Sequence, residues 1–454
     1  MIIPMKQTLF FLSALMLLFL PGVPAAAVET LRVGAASVDV TGEPGPDLGG
    51  FLARVQPSTS IRTRLYARAV YLDNKSEILV WIVVDSLGFT QEINAQVKTT
   101  LAKEFGIEPQ RIVLSTTHTH SAPVAVPLSS IGDYAEQYVN TVLIPGILKA
   151  ARDAKVSAED CFMVSATGEV ELAIDRRNKP TKNVEQRVPA VGFKRADGSF
   201  KTVLLGYTMH PVCYCTGAIA AEWPGAAADA VRKLFSETTE PFVFQGACGN
   251  QNPPKRNLSD EEMQSWGTMI VNSVVEQLRT AESQMPHFAV RTRQTAMLLE
   301  YPDEKEIREF AELNRKSLAS SPKGLEACTI WEEWATQYRN GGSPDFINAE
   351  IAVIVLGDRA FVTGPFETHS QMNPELKKRT TIDCFAVGYT NGCYGYLPHD
   401  AAYEEGGYEP MAHLWYRNFR FKRGELERLA ESSVPLIQEA FDAAHRLCES
   451  LRWH

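Results

Sequence analysis

I-V-L-S-T-T-H-T-H-S-A-P, residues 112–123, joins an apolar run to a pair of histidines. The apolar, β-branched half predicts a buried strand. Side chains two residues apart in extended backbone point to the same face, so His118 and His120 are expected together at the carboxyl end of this strand. Pro123 ends the strand. The pattern favours a metal site, although two structural histidines at a strand end would fit the same residues.

The segments around this strand predict an α/β fold. Residues 66–72 and 78–84 are β-rich runs that suggest a hairpin, and residues 92–105 have helical spacing. The strand with the histidines follows, which suggests a strand–helix–strand unit with its chemistry at the carboxyl end. Residues 303–317 and 325–338 are predicted to be polar, peripheral helices. Without repeats or linkers, the chain is expected to form large mixed β-sheets flanked by helices in one domain, residues 28–454.

The first residues predict a secretory signal. Lys6 supplies positive charge, residues 9–20 are apolar, and Ala25, Ala26 and Ala27 are small enough for cleavage. We therefore expect a signal peptide over residues 1–27 and a secreted or periplasmic protein, with a retained anchor as the alternative. No second run of about 18 apolar residues follows.

Charge and cysteine content limit the function classes. The formal net charge is −9 and no basic block occurs, so a nucleic-acid partner is not expected. An acidic surface also argues against strong docking on anionic lipid, so any contact with a membrane surface is expected to be transient. Eight cysteines in an exported chain permit disulfides, but neither their pairing nor the oligomeric state can be inferred from the sequence.

Polar or glycine-rich loops follow several of the predicted apolar strands. His118, His120 and His210 lie at such strand ends, although the chain has only 9 histidines. Imidazoles together with an oxygen ligand make up open zinc sites. A zinc site and separate structural histidines both remain open from these residues alone. The loops are residues 117–120, 175–178, 209–211, 249–253 and 394–398.

These loops resemble, in order, the motifs of the neutral/alkaline non-lysosomal ceramidase family. The resemblance lies in S-T-T-H-T-H-S-A-P, in His210-Pro211 followed by E-W-P-G, in the loop of residues 245–253, and in residues 391–409. It extends over roughly residues 30–445. The resemblance is closer to the shorter bacterial ceramidase-like proteins, which lack a C-terminal immunoglobulin-like domain.

The resemblance implies a neutral-ceramidase-like catalytic domain and a zinc amidase. It implies that His118 and His210 bind Zn²⁺ and that Tyr396 is a ligand or near-ligand through its phenol oxygen. His120 would lie beside the metal as a proton-transfer or orienting group. Arg176 would bind the polar head of the substrate.

Two positions depart from the family pattern. The family's acidic zinc ligand follows a glycine, whereas here the segment reads G-P-F-E, which makes the displaced Glu367 the candidate ligand and His369 its substitute. The family's serine aligns with Asn252, and an amide cannot act as the nucleophile. Asn252 is expected either to donate a hydrogen bond to a developing oxyanion or to cap its loop beside Pro253.

The sequence predicts an exported zinc-dependent hydrolase that cleaves a linear N-acyl amide with metal-activated water. His120, Tyr396 and Asn252 are the predicted catalytic residues. The partner would be a small-molecule or lipid-like N-acyl substrate. One alternative is a zinc amidase acting on an N-acyl amino sugar or cell-wall fragment. Another is a non-catalytic binding protein on a degenerate hydrolase scaffold. Cys213, Cys215 and Cys248 flank the proposed ligands, either as soft ligands or as packed or disulfide-bonded thiols.

Overall fold

The computed structural model describes residues 30–51, 54, 56–126, 133–177, 184–319, 322–337 and 344–451. Residues 1–27, where the signal peptide is predicted, lie outside these ranges. The strands in chain order are β1 (Leu31–Asp39), β2 (Ser60–Ile61), β3 (Tyr66–Asp73), β4 (Ile78–Val84), β5 (Ile112–Thr116), β6 (Glu159–Glu169), β7 (Ile174–Asp175), β8 (Arg187–Lys194), β9 (Phe200–Tyr207), β10 (Ala218–Ile219), β11 (Glu240–Gln245), β12 (Gln251–Asn252), β13 (Phe288–Glu300), β14 (Phe346–Leu356), β15 (Arg359–Thr363), β16 (Glu367–Thr368), β17 (Asp383–Val387), β18 (Tyr396–Leu397) and β19 (Arg420–Phe421).

Helices alternate with these strands. A π-helical segment, Val139–Leu143, joins the second helix to the third, and a 3₁₀ turn, Pro109–Arg111, leads into β5. The helices are α1 (Gln91–Phe105), α2 (Glu136–Tyr138), α3 (Ile144–Val156), α4 (Glu222–Leu234), α5 (Asp260–Thr280), α6 (Glu304–Leu318), α7 (Pro322–Gln337), α8 (Met372–Lys377), α9 (Asp400–Glu405), α10 (Tyr408–Tyr416) and α11 (Glu425–Leu451).

Two mixed sheets carry the fold. The first has eight strands in the order β11-β9-β8-β6-β1-β3-β4-β5, and the second has five in the order β17-β15-β14-β13-β19. Most neighbours are antiparallel, but three pairs are parallel: β4 with β5, β9 with β11, and β15 with β17. The predicted hairpin and strand–helix–strand unit are confirmed as β3-β4 and β4-α1-β5.

The two sheets pack face to face around an aromatic core. The Trp81 ring of β4 lies 5.1 and 5.0 Å from the rings of Phe242 and Phe244 in β11, and 5.8 Å from Phe361 in β15. The indole N–H donates to the Ser115 hydroxyl at 3.0 Å, so the buried ring leaves no polar atom unpaired. Because both faces of each sheet are covered, strands such as β4 read as continuous apolar runs.

Helices cover the outer faces of both sheets. Helices α1 and α3 to α5 pack on the eight-stranded sheet, and α8 and α11 pack on the five-stranded sheet. The predicted class, α/β with large mixed sheets flanked by helices, is thus confirmed. Among the described residues, no helix combines the length and apolar character that a membrane span requires.

The sheets meet at the carboxyl ends of their parallel pairs. An isolated bridge joins Ser115 of β5 to Thr390, just beyond β17, and another joins Gly246, just beyond β11, to Val387. Asn391 strengthens this seam, because its backbone N–H donates to Leu114 and its side-chain oxygen accepts from the Leu114 N–H. Loops from all three parallel pairs therefore open into one region.

Gly267 sets the approach of α5 to α4. A Cβ at this position would lie 2.4 Å from the backbone carbon of Ala226, and backbone cannot rotate away. In an exposed helix, alanine is favoured over glycine by about 1 kcal/mol. Here the added methyl group would overpack the contact between the helices, which destabilises the fold by about 1–3 kcal/mol and outweighs the helical preference for alanine. We expect Gly267→Ala to lower the free energy of unfolding by about 1–2 kcal/mol, measured by chemical denaturation.

Ser265→Ala is the matched control, because Ser265 is an exposed residue of the same helix. It should change the unfolding free energy by less than about 0.5 kcal/mol. A stabilised Gly267→Ala variant would show that α4 and α5 can separate without cost.

Candidate metal centre

Two histidines leave the sheet immediately after β5. The strand ends at Thr116, and the Thr117 N–H pairs with the Val84 carbonyl before the chain turns. His118 has φ of 62°, the left-handed region, which costs roughly 1–2 kcal/mol for a residue with a Cβ. The prediction that extended backbone aligns the two rings is therefore wrong. A strained turn brings them together, with ring centroids 4.8 Å apart.

Backbone carbonyls fix the tautomers of His118 and His210. The Nδ1 atom of His118 lies 2.7 Å from the Leu87 carbonyl oxygen, and that of His210 lies 2.7 Å from the Cys248 carbonyl oxygen. A carbonyl oxygen can only accept, so both Nδ1 atoms carry the proton. Both Nε2 atoms then present lone pairs.

Glu367 faces these lone pairs. Its Oε2 lies 3.2 Å from Nε2 of His118 and 3.5 Å from Nε2 of His210, and all three side chains are buried. Neither Oε2 nor the His210 Nε2 has a hydrogen-bond partner. Buried polar atoms are rarely left without one. Three electron-pair donors thus converge with no proton between them, which is the arrangement that a divalent cation satisfies.

His120 completes the cluster. Its Nε2 lies 3.2 Å from Nε2 of His118, and the ligand atoms of His118, His120 and His210 lie within 4.8 Å of one another. Gly50 makes room for the ring, since a Cβ there would lie 2.2 Å from the His120 Nδ1. Arg54 donates to the His120 carbonyl at 2.7 Å and holds the backbone. The ring is near enough to bind the ion or to exchange a proton beside it.

Burial keeps the ring nitrogens available. It lowers the pKa of His210 to about 4, with Arg176 adding to the effect, and it lowers the pKa of His120 well below its usual value. Burial alone would raise the pKa of the Glu367 carboxyl, but the facing rings of His118 and His210 hold it well below its usual range. Metal binding needs neutral imidazole and ionised carboxylate.

Tyr396 lies beside the carboxylate through strand pairing. The short strands β16 and β18 run parallel, with Glu367 opposite Tyr396. The phenol oxygen accepts a 2.8 Å hydrogen bond from Arg176, and burial raises the pKa of the phenol well above its usual value. Tyr396 therefore stands at the edge of the centre as a protonated phenol.

Arg176, predicted to bind substrate, is engaged by the protein itself. Besides Tyr396, its guanidinium donates to Glu409 at 2.7 Å, to the Gly249 carbonyl at 2.8 Å and to Asn252 Oδ1 at 3.4 Å. These contacts orient Tyr396 and Asn252. The role in binding the substrate head stays a prediction.

Asn252 lies in β12, which pairs with β7. Its side-chain bond runs to Arg176 and not to the backbone of its own loop, which differs from the loop-capping alternative. Asn250 connects its own loop to two other segments. Its Oδ1 accepts a hydrogen bond from the Ser370 N–H, and its side-chain amide donates to Asp175.

The remaining candidates lie outside the centre. His369 contacts His399, with their Nδ1 atoms 2.9 Å apart, and does not substitute for Glu367. The described cysteines are all free thiols, and none joins the cluster of ligand atoms. Cys248 contributes only its carbonyl to His210, while its sulfur lies 3.1 Å from the Tyr389 hydroxyl.

Two tyrosines in the site were missed by sequence reasoning. Tyr389 stacks on His118 with ring centroids 3.9 Å apart. Its position directly after a predicted buried strand could have marked it as a candidate site residue. Tyr416 donates to Glu367 Oε1 at 2.9 Å, and nothing in its helical surroundings indicates that contact.

Comparison with known proteins agrees with this geometry. The family model described as neutral/alkaline non-lysosomal ceramidase, N-terminal, matches residues 31–183. A solved neutral ceramidase from Pseudomonas aeruginosa has the same fold, with a TM-score of 0.70 and 15% identity, over 92% of this chain and 75% of that one. Residues 31–183 therefore resemble the N-terminal part of neutral/alkaline ceramidases, and the described chain has the neutral ceramidase fold.

Further members of the ceramidase family extend the likeness. A structure of a ceramidase complexed with C2 matches with a TM-score of 0.69 at 15% identity, over 92% of this chain and 76% of that one. Neutral ceramidase A of Dictyostelium discoideum is 28% identical over 154 residues, which are 31% of this chain and 21% of that protein. This chain thus matches about a fifth of that relative's length. The predicted neutral-ceramidase-like fold is confirmed.

The ligand arrangement predicts the metal content of the protein. Purified protein should hold one equivalent of zinc, and His118→Ala or His210→Ala should lose it, because each removes one lone pair from the cluster. Elemental analysis after dialysis measures this. Cys213→Ser is the control and should retain the metal. Equal zinc in the histidine variants would show that the ion binds elsewhere.

Proposed function

We propose that the protein is an exported zinc-dependent amidohydrolase that cleaves the N-acyl amide of a ceramide-like lipid. The observation that carries the proposal is the convergence of His118, His210 and Glu367 on one buried point, where Glu367 Oε2 and His210 Nε2 have no hydrogen-bond partner. A binding protein on a degenerate scaffold would have no need of an intact ligand set. The match of residues 31–183 to the neutral/alkaline ceramidase model supports the reaction class.

His118, His210 and Glu367 would hold the zinc ion. When bound, zinc lowers the pKa of a bound water toward ~7 and polarises the scissile carbonyl. His120, beside the ligands and 9% exposed, is placed to accept a proton and pass it to the leaving amine. The Asn252 side chain cannot act as a nucleophile, and the proposed reaction uses water in that role.

Tyr396 and Asn252 are set as hydrogen-bond donors. Arg176 donates to the Tyr396 oxygen, so the phenol's own proton points elsewhere, and within the described residues no acceptor takes it. Arg176 also donates to Asn252 Oδ1, which turns the amide N–H groups away from the arginine. Both groups would stabilise negative charge developing on the substrate carbonyl.

The surroundings of these donors favour a lipid over an amino sugar. Ile174, which pairs with Asn252 across β7 and β12, is 44% exposed, and Tyr408, whose ring lies 5.5 Å from that of Tyr396, is 41% exposed. Exposed apolar side chains beside a polar centre suit an acyl chain. We infer a ceramide-like substrate, met through transient contact with a membrane surface after export by the signal of residues 1–27.

The proposal is tested by hydrolysis of an N-acyl sphingosine, measured as release of free fatty acid. Activity should vanish in excess chelator and return with zinc. Tyr396→Phe should lower kcat about 10²–10³-fold, the usual effect of losing one oxyanion donor, with a smaller change in KM.

Two comparisons sharpen the test. Tyr403→Phe also removes a half-buried phenol hydroxyl, but this hydroxyl donates to the Phe421 carbonyl away from the centre, so activity should persist. An N-acetyl amino sugar should be a poor substrate. Preferential cleavage of the amino sugar would favour the alternative substrate, and hydrolysis unaffected by chelator would refute the metal mechanism.

A further inference from the structure

Helix α10 connects the carboxylate of the proposed metal centre to a helical hairpin. Its last residue, Tyr416, donates a 2.9 Å hydrogen bond to Glu367 Oε1. The other carboxylate oxygen, Oε2, faces His118 and His210. The phenol thus occupies one oxygen and leaves the other for the ion.

The Tyr416 ring has little freedom to move. It lies nearly parallel to the Tyr396 ring, at 13° and 6.2 Å between centroids. A Cβ at Gly395 would lie 3.2 Å from two atoms of the Tyr416 ring, and Gly395 has φ of 91°, so the ring packs against the loop that precedes β18. The same loop accepts the Glu367 N–H at the Gly395 carbonyl.

The residue before Tyr416 faces the opposite way. Trp415 packs against Phe310 of α6 and Trp331 of α7, with centroids 4.9 and 5.2 Å away. One turn earlier, His413 Nε2 lies 3.5 Å from Glu306 of α6. The hairpin of α6 and α7 therefore fixes the same turn of α10 that presents Tyr416.

We propose that Tyr416 is a positioning residue for the metal ligand Glu367, and that the α6–α7 hairpin sets its place through Trp415. The proposal rests on the metal centre described above. A carboxylate held at one oxygen loses less rotational freedom when the ion binds. Hydrogen-bond partners of metal ligands typically contribute 10–100-fold in metal affinity.

The test compares zinc dissociation constants by competition with a chromophoric chelator, using the full chain. Tyr416→Phe keeps the ring against Gly395 and removes only the hydroxyl. We expect zinc to bind about 10–100-fold more weakly. Tyr403→Phe, which loses a part-buried phenol hydrogen bond to a backbone carbonyl, should keep the wild-type constant.

Melting temperatures of the zinc-free proteins separate positioning from general stability. Tyr416→Phe and Tyr403→Phe should melt at similar temperatures, because each loses one phenol hydroxyl and keeps its ring, while only Tyr416→Phe loses zinc affinity. The absorption spectrum of the Co²⁺-substituted protein should also change in Tyr416→Phe alone, since it reports ligand geometry.

A second variant tests the hairpin. Phe310→Leu changes no residue of the metal centre, but it removes part of the ring packing that holds Trp415. We expect zinc to bind several-fold more weakly. Wild-type affinity in Phe310→Leu would overturn the part assigned to the hairpin, and wild-type affinity in Tyr416→Phe would overturn the proposal itself. A wild-type protein that binds no zinc would instead refute the metal centre on which both rest.

Discussion

The site depends on parallel strand pairs that each place a ligand-bearing loop next to a loop that supports it. His118 follows β5, and its Nδ1 proton goes to the Leu87 carbonyl beyond β4; His210 follows β9, and its Nδ1 proton goes to the Cys248 carbonyl beyond β11. Because neighbouring parallel strands end at the same edge, both carbonyls are available without additional structure. Each pair therefore fixes a tautomer and aims one lone pair.

The third parallel pair follows the same plan with different chemistry. Glu367 follows β15, and Tyr389, which stacks on His118, follows β17. The electron pairs of three buried side chains face one another, and two of the donor atoms, Glu367 Oε2 and His210 Nε2, have no hydrogen-bond partner within the protein. Packing from both sheets holds them there, together with the left-handed turn at His118. Such stored strain is typical of functional sites.

The features that could be predicted from the sequence are those encoded by local residue patterns. The strand before His118, the hairpin and the strand–helix–strand unit follow from periodicity, and the positions of His118 and His210 at strand ends follow from them. Glu367 lies up to two residues beyond where the family pattern would place it, and only the tertiary structure shows that it faces the histidines. Helices α6 and α7 look polar in sequence, yet they bury Trp331 against α10. Tyr416 reaches the carboxylate through tertiary contacts, for which one sequence holds no signal.

The seam between the two sheets bears on how the protein is made. A ribosome releases His118 early and Glu367 roughly 250 residues later, a delay of about 12–50 seconds at ~5–20 residues per second. During that interval His118 and His120 are already synthesised, but the carboxylate of Glu367, the anionic member of the cluster, is not. If the proposed metal centre binds its ion, tight binding would mark a finished chain, and mass action would then stabilise only that species.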